Sequence, residues 1–492
     1  MPNRWPLYGL LNVAFVFYIA AASGIGSNAN PRLLYLALLF AICSSPVLVL
    51  RKANDRFAMY AIFCGIYFIS FGVLDLVALT AGSGDLSTLS DPLSAPEVLI
   101  ILGGVAFALG YQLAARRRQP SAFVSRDWPR ITLLTVGLVL WAAGTYATWY
   151  WNIRLTVRSG QFTNNTGGAV TAILMLGRYA QPMGLLVVAY AYTVSRSALL
   201  TAVMIGLAVF QVYLGFVSDT KGGAMLGGIV VIVTSFLIKG KIPKGWAVAG
   251  VLYIFLVFPV FQAHRLYVVG ERGLSNAMNV DNFAKAVEVS IATQKLAASE
   301  HAQSFFERSS VKGSVEMIVN KTGHGVSYQN GYTLIPLATA LIPRLIWPDK
   351  LDVETGELVN TEFHVTGERV TYISPSFLGE MYWNFGWAGG ILGMLTLGLL
   401  LGWINSLCDL SAATTVTRVL ILGITILQLG VRFEASIATE YAVWLRSVLG
   451  ILLMHWVFAR RSPGSRRVAA PEAAATAREP VLALTKFPNL LR

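Results

Sequence analysis

Basic side chains recur at one predicted membrane depth, on the side where membrane proteins normally carry few of them. A cation in or beside the hydrocarbon core is costly unless an anion pairs with it, so such residues tend to be rare and functional. Guanidinium groups bind phosphate through two parallel hydrogen bonds. An anionic ligand, with a lipid diphosphate as the leading candidate, would explain the whole set: Arg154, Arg158, Arg178, Lys221, Arg265, Arg432 and Arg446.

Structural pairing is the alternative explanation for each of these cations taken singly. Arg178 has a candidate partner in Asp75, near the outer end of the third predicted span, and Arg432 has one in Glu434. Pairing of this kind would give individual residues a purely structural role, whereas the ligand hypothesis explains why they share one depth.

Three stretches before the tenth predicted span carry side chains suited to a substrate with both phosphate and sugar groups. FFERSS holds Arg308 after two aromatic residues, and YQNGYTLIPLATALIPRLIWPDK holds Tyr332, with Arg344 and Lys350 beside prolines that fix the backbone. SPSFLGEMYWNFGWAGG carries Glu380. Aromatic faces beside Arg and Asn suit sugar rings as well as phosphate, and Tyr372 is a further candidate of this kind.

Other side chains of the third stretch have simpler interpretations. We expect Trp383 and Trp387 to belong to the belt of aromatic residues at the membrane interface. Gly386, Gly389, Gly390 and Gly393 are interpreted as sites of close helix packing and not as a phosphate-binding loop.

Apolar segments dominate the chain and must position these side chains. Of 492 residues, 55% are hydrophobic and only 13% are charged, and the mean hydropathy is +0.60, whereas soluble domains are about 25% charged. The composition predicts an all-α polytopic membrane protein. Twelve runs have the length that a helix needs to cross a hydrocarbon core of ~30 Å: 5–22, 32–50, 57–80, 96–114, 129–149, 168–193, 197–216, 222–238, 245–262, 384–404, 416–433 and 441–458.

Lysine and arginine in the connections predict the orientation. They concentrate at 51–56, 115–130, 239–244 and after residue 459, which the positive-inside rule assigns to the cytoplasm together with both termini. The predicted organisation has four parts: transmembrane helices 1–9 in residues 1–262, a large and mostly helical periplasmic loop at 263–383, helices 10–12 in 384–458, and a basic, disordered cytoplasmic tail at 459–492.

Composition and spacing also argue against several other classes of function. The net charge of +13 comes largely from the cytoplasmic segments and is explained by topology and anionic lipid, so no nucleic-acid partner is expected. No two external histidines have the spacing of a helical metal pair, so we expect no metal site, and no cofactor is predicted.

The order of these motifs resembles that of the Wzy-type oligosaccharide repeat-unit polymerases, also called O-antigen polymerases. The resemblance covers roughly residues 210–400 and rests on SDTKGG, FFERSS, YQNGYTLIPLATALIPRLIWPDK and SPSFLGEMYWNFGWAGG, of which the IPR…WP.K and GE.Y.NFG segments are the most specific part. It implies a bacterial inner-membrane enzyme that moves a growing glycan from one undecaprenyl diphosphate carrier to a new lipid-linked repeat unit, with the lipid bilayer and a chain-length regulator protein as further candidate partners.

Inverting glycosyl transfer at the outer leaflet is the mechanism that fits both the resemblance and the residues. Fixed cations would stabilise the charge that grows on the diphosphate leaving group without a metal. We expect Arg344 and Arg308 to do so, with Arg265, Lys221 and Arg178 beneath them. Glu380 is the first candidate for the general base that activates the acceptor hydroxyl, and His324 is the second.

Two alternatives remain at this point. An O-antigen ligase would use the same carrier chemistry with a different acceptor. A transporter or flippase for lipid-linked glycans would share the plan of twelve spans but would need ionisable residues along a path through the whole bilayer.

Overall fold

Helices form almost all the regular structure in the described part of the chain. The computed structural model describes residues 4–22, 31–49, 57–81, 93–116, 126–150, 177, 179–195, 197–217, 221–264, 288, 310–339, 342, 347, 355–365, 373–410 and 414–461. A helix pairs its own backbone groups, which have no water partner inside a bilayer. Within these ranges the strands are limited to one antiparallel pair, β1 (Arg126–Asp127) and β2 (Arg460–Arg461).

The helices are numbered here in chain order. They are α1 (Trp5–Ala22), α2 (Pro31–Ser44), α3 (Pro46–Val49), α4 (Ala58–Phe71), α5 (Val73–Ala81), α6 (Ala95–Arg116), α7 (Arg130–Tyr150), α8 (Ala180–Ser195), α9 (Ala198–Val217), α10 (Lys221–Lys239), α11 (Lys244–Leu252), α12 (Phe258–His264), α13 (Lys312–Lys321), α14 (Ile335–Thr339), α15 (Thr355–Phe363), α16 (Ser376–Leu407), α17 (Val416–Thr425) and α18 (Ile437–Phe458). Short π-helical turns, Tyr253–Val257 and Ile426–Val431, follow α11 and α17, and a 3₁₀ turn, Tyr332–Leu334, precedes α14.

Seven helices in the described residues are long and apolar enough to cross a membrane. They are Ala95–Arg116, Thr132–Tyr150, Ala198–Phe216, Gly222–Lys239, Lys244–Phe261, Ser376–Leu407 and Ile437–Phe458. The pair Ala58–Phe71 and Val73–Leu79, bent by 49°, makes an eighth if it forms one span. Three shorter apolar helices lie at Trp5–Ala21, Leu33–Val49 and Val416–Val431. The prediction of a helical membrane protein is thus confirmed, and the number twelve remains a prediction.

Glycines bring α6 and α16 into close contact. A Cβ atom at Gly110 would overlap the carbonyl oxygen of Leu395, and one at Gly398 would overlap the carbonyl oxygen of Phe107. Gly390 faces Leu99 in the same interface, where an added Cβ would lie 2.8 Å from the leucine side chain. Small residues at such contacts let helix backbones approach in a membrane, where no hydrophobic force drives them together.

The basic end of the bundle is the end that carries β1, β2 and the connection between α10 and α11. β1 and β2 pair there, and the ring of Trp128 lies 5.6 Å from that of Phe458. Lys239 Nζ donates to the carbonyl oxygen of Thr193, which brings the ends of α8 and α10 together. Arg126, Lys239, Lys241, Lys244, Arg460 and Arg461 therefore share this end.

The site end of the bundle is the opposite end, where α6, α16 and α18 begin and α5 lies. The backbone N–H groups of Ser376 and Phe377 donate to the carbonyl oxygens of Glu434 and Phe433, at 2.9 and 3.1 Å. The N–H of Val311 donates to the carbonyl oxygen of Ser70 at 3.1 Å. These bonds attach residues 310–321 and the start of α16 to the ends of the membrane helices.

The structure differs from the predicted boundaries around α13 and α16. α16 begins at Ser376, eight residues before the predicted start of the tenth span, so Glu380 lies within a helix. The sequence of the loop also predicts helices at 281–301 and 304–321. α13 occupies Lys312–Lys321 of the second, while residues 304–309 lie outside the described part. The other helix predicted for the loop, at 281–301, also lies outside it except for Glu288.

Substitution of one glycine in this interface by valine should force α6 and α16 apart. Gly110→Val places a branched side chain against the backbone of α16, and overpacking of this kind costs about 1–3 kcal/mol. We expect a lower midpoint of thermal unfolding for the purified protein in detergent, measured by the loss of the monodisperse gel-filtration peak after heating.

Gly206→Val is the matched control. A Cβ at Gly206 meets no atom within 4 Å, and the change in helix propensity is the same. Equal midpoints for the two variants would contradict the close contact between α6 and α16.

Candidate functional site

An interruption within α16 creates backbone acceptors at the site end. Phe385 (φ −137°, ψ 18°) and Gly386 (φ 63°, ψ −150°) leave helical geometry, and the second conformation favours glycine. The helix therefore stops supplying donors to the carbonyl groups just before the break. The N–H groups of Gln329 and Asn330 supply them instead, donating to the carbonyl oxygens of Trp383 and Asn384 at 3.0 and 3.2 Å.

The side chain of Asn384 fastens the same loop to α16. Its Oδ1 accepts from the N–H of Gly331 at 2.8 Å, and its Nδ2 donates to the Thr333 hydroxyl at 2.7 Å and to the Glu380 carbonyl at 2.8 Å. Asn384 and Thr333 have no exposed surface. Residues 327–334, which we call the site loop, are thus bonded to the first part of α16 through backbone and side chains.

Trp383 belongs to this buried contact and not to the membrane interface. Its indole N–H donates to the carbonyl oxygen of Ser327 at 3.1 Å, its ring packs edge-on against Phe363 at 5.1 Å, and it has no exposed surface. The expectation of an interfacial role is therefore wrong for Trp383. Trp387, after the break, is 39% exposed.

Glu380 lies one helical turn before Asn384, completely buried. Its Oε2 accepts from the backbone N–H of Ile437 at 2.8 Å, and its Oε1 accepts from the Ser436 hydroxyl at 3.2 Å. The Thr333 hydroxyl is a further hydrogen-bond partner of the carboxyl group. Because Ile437 is the first residue of α18, the carboxylate also lies where the helix dipole favours negative charge.

The environment of Glu380 suits a positioning role. A general base must come within about 3 Å of the hydroxyl that it deprotonates, and the Glu380 carboxylate has no exposed surface. Ser436 Oγ also lies 3.1 Å from Thr355 Oγ1. The carboxylate therefore joins α16, α18, the site loop and the start of α15.

His324, the second candidate base, has a different environment. It lies in an exposed turn between α13 and the site loop, where its backbone N–H donates to the carbonyl oxygen of Lys321 at 3.0 Å. A hydroxyl group of a substrate can therefore approach His324 from solvent. Tyr332, which follows Gly331 in the site loop, is also exposed, at 41%.

A buried lysine anchors α13 at the site end. Lys312 Nζ lies 2.6 Å from Asp75 Oδ2 and 2.9 Å from Glu97 Oε1, and 4.3 Å from the centre of the Tyr35 ring. Burial alone would lower the pKa of Lys312, but Asp75 and Glu97 outweigh it and raise the pKa above its usual value. Lys312 is therefore charged at neutral pH and holds α13 against α5 and α6.

Arg432 and Glu440 form a second ion pair at this end, across the start of α18. Arg432 Nη1 lies 3.3 Å from Glu440 Oε1, and the arginine side chain is 56% exposed while the glutamate is 9% exposed. Glu440 is thus the carboxylate of this pair. The exposed part of the guanidinium is open to an anion.

Arg446, two turns further along α18, has an aromatic partner. Its Nη1 donates to the Tyr179 hydroxyl at 3.2 Å, and its guanidinium carbon lies 5.9 Å from the centre of the tyrosine ring. This contact links α18 to the residue next to the start of α8.

Comparisons with known proteins give no relative. No family model matches the chain, and no curated protein or solved structure matches it either.

The predicted site residues divide into two groups. Glu380, His324, Tyr332 and Arg432 lie in the described part at the site end, where Lys221 also begins α10. The remaining candidates lie outside the described residues: Arg158, Arg178, Arg265, Arg308, Arg344, Lys350 and Tyr372. Asp75, considered above as a partner of Arg178, pairs with Lys312.

Three residues of the site were not singled out from the sequence: Lys312, Asn384 and Glu440. Lys312 and Asn384 make their principal contacts with residues far away in sequence, for which periodicity gives no signal. Glu440 could have been found as a carboxylate eight residues after Arg432, next to the outer end of the last predicted span.

Removing the Lys312 ammonium should unfold this end of the bundle first. Lys312→Met leaves the partly buried carboxylates of Asp75 and Glu97 without this cation, and the loss of one partner of a fully buried ion pair, about 3–5 kcal/mol, is the upper bound on the cost. We expect a large fall in the thermal midpoint and faster proteolysis near α13, read by mass spectrometry of the fragments.

The control is Lys321→Met at the other end of α13. Lys321 is exposed, and its Nζ donates to the carbonyl oxygen of Phe363 at 2.9 Å, so its loss should cost about 1 kcal/mol or less. Similar effects of the two substitutions would contradict the anchoring role of Lys312.

Glu380 and Ser436 should show coupled effects on stability. Glu380→Gln replaces one carboxyl acceptor by an amide donor, and Ser436→Ala removes one donor; a hydrogen bond of this kind contributes about 0.5–1.5 kcal/mol. Both substitutions should lower the thermal midpoint. The fall in the midpoint of the double variant should be smaller than the sum of the two single falls, because the bond between the two side chains is lost only once. Strictly additive shifts would show that the two side chains act independently.

Proposed function

We propose that the chain is a membrane glycosyltransferase that joins undecaprenyl diphosphate-linked oligosaccharide repeat units into a surface polysaccharide. The observation that carries the proposal is the contact between the site loop and the first part of α16. These two segments belong to the motifs that resemble the O-antigen polymerases, and five hydrogen bonds connect them across about fifty residues of sequence. A shared site is the simplest reason for both motifs to meet.

The proposed topology has twelve spans, cytoplasmic termini and residues 263–383 in the periplasm of a bacterial inner membrane. Support comes from the distribution of charge between the two ends of the bundle. Arg126, Lys239, Lys241, Arg460 and Arg461 share the basic end, as the positive-inside rule requires of a cytoplasmic face. The site end would then meet lipid-linked sugars at the outer leaflet.

The proposed reaction is an inverting displacement at the anomeric carbon of the donor sugar. The acceptor hydroxyl oxygen forms the new glycosidic bond while the bond to the lipid diphosphate breaks, and the diphosphate leaves with the electron pair. Cations stabilise its growing charge: Arg432 is exposed at the site end, and Arg344, Arg308, Arg265, Lys221 and Arg178 are the predicted others.

The acceptor proton needs a base that a substrate can reach. Of the two candidates, His324 is exposed and Glu380 is enclosed by α18 and the site loop. We therefore assign proton acceptance to His324 and a positioning role to Glu380, which fixes the start of α18 and, through it, the Arg432–Glu440 pair.

A gene-disruption experiment tests the proposed function. Cells lacking this chain should carry single repeat units on the final glycan acceptor and no polymer ladder, read by gel electrophoresis and mass spectrometry. His324→Asn should fail to restore the ladder on complementation, whereas His364→Asn, the same change at another exposed histidine, should restore it. His364 already has a left-handed backbone (φ 51°) that asparagine tolerates.

Other outcomes identify the alternatives. Polymer retained on the lipid carrier would indicate a ligase, and lipid-linked repeat units confined to the inner leaflet would indicate a flippase. A normal ladder in the disrupted strain would exclude all three roles, and a normal ladder with His324→Asn at wild-type protein levels would exclude His324 as the base.

A further inference from the structure

A large apolar groove lies between α9, α10 and α11. It has a volume of about 780 Å³, within the range of roughly 300–1,000 Å³ typical of ligand pockets. The groove exists because α11 stands away from the bundle: none of its residues is buried. Close contacts hold α9 against α10, since a Cβ at Gly227 would lie 2.7 Å from the Cα of Ala208.

The two ends of the groove differ in chemistry. Lys244 and Trp246 line it at the start of α11, where the indole N–H of Trp246 donates to the Tyr192 hydroxyl at 3.3 Å. At the far end a small apolar cluster of Ala224, Tyr253 and Phe258 closes it. One end of the groove thus carries a cation and amphipathic aromatic rings, and the rest is apolar. One membrane leaflet has the same order, from charged headgroup through the interface to the acyl chains.

The groove is long enough for an acyl chain of one leaflet. Lys244 and Tyr253 are nine residues apart along the helical segment, which at 1.5 Å per residue is about 14 Å, against ~15 Å for half of a hydrocarbon core, and the lining also includes Ala224 and Met225 near the start of α10. Lys244 lies at the basic end with Lys239 and Lys241, where the positive-inside rule predicts the cytoplasmic leaflet and its anionic lipids.

We propose that this groove binds a bilayer phospholipid with an anionic headgroup, its phosphate at Lys244 and its acyl chains between α9, α10 and α11. The lipid would fill the space that α11 leaves and hold α11 and α12 to the bundle. Its phosphate at Lys244, at the basic end, distinguishes it from a donor or acceptor lipid whose diphosphate lies at the site end, so the inference does not depend on the proposed enzymatic function.

Native mass spectrometry of the purified protein, after exchange into equal amounts of phosphatidylglycerol and phosphatidylcholine, tests the proposal. The unmodified chain should retain one phosphatidylglycerol. Gly228→Phe should retain at least tenfold less, because Gly228 lines the groove and a Cβ there meets no atom within 4 Å, so the ring fills the space without a clash. Lys244→Gln should lose the preference for phosphatidylglycerol.

Two control variants complete the design. Gly206→Phe makes the same change on α9 outside the groove lining, also with open space around it, and should retain lipid like the unmodified chain. Lys241→Gln removes an exposed charge outside the lining and should keep the lipid preference. If Gly228→Phe does not fold, Gly250→Phe fills the groove from the opposite wall.

Several results would overturn the assignment. Equal retention by the Gly228 and Gly206 variants would place the lipid elsewhere, and equal binding of both phospholipids by the unmodified chain would remove the role of Lys244. Retention of a polyprenyl phosphate in place of phospholipid, or a dimer that Gly228→Phe dissociates, would assign the groove to a different occupant.

Discussion

A backbone carbonyl group inside or beside a bilayer must have a hydrogen-bond donor from the protein. If a break in a helix removes that donor, no water is there to replace it. The break at Phe385 and Gly386 removes donors from the carbonyl groups of Trp383 and Asn384. The site loop supplies them through Gln329 and Asn330. The remaining contacts of the site end follow from this one requirement, since the loop must lie along α16 before Thr333 can reach Asn384 and Glu380.

Buried ionisable side chains then tie the other elements to this core. Glu380 binds the first turn of α18, and Lys312 binds the ends of α5 and α6. Each of these groups would be costly to bury alone, and each has partners from elements far away in sequence. The site end is therefore a polar assembly supported on helices that pack through glycine, as α6 and α16 do at Gly110 and Gly398.

The sequence predicts the membrane helices well and the polar contacts poorly. Apolar runs of sufficient length indicate α6 or α18 directly. Of the four glycines interpreted as packing sites, Gly390 faces Leu99 of α6, whereas Gly389 and Gly393 lie against Met381 across the break in α16 and Gly386 forms the break itself. Because the tenth apolar run begins at residue 384, no pattern indicates that α16 starts at Ser376 and contains Glu380 and Trp383. No local pattern indicates that Ser436, Ile437 or Ser327 would provide their partners. Likewise, nothing near Lys312 in sequence identifies Asp75 as its counter-ion.

The break in α16 also has a consequence for the order of assembly during synthesis. The 21 residues from Trp387 to Leu407 are enough for a complete span, since about 20 suffice, so insertion into the bilayer does not require the segment that holds Glu380. The Ile437 amide follows Glu380 by 57 residues. Until the ribosome has delivered the last helix, the carboxylate lacks its helix-terminal partner. The site end can therefore close only after the final span has emerged, which makes its formation a late, post-insertional step of biogenesis.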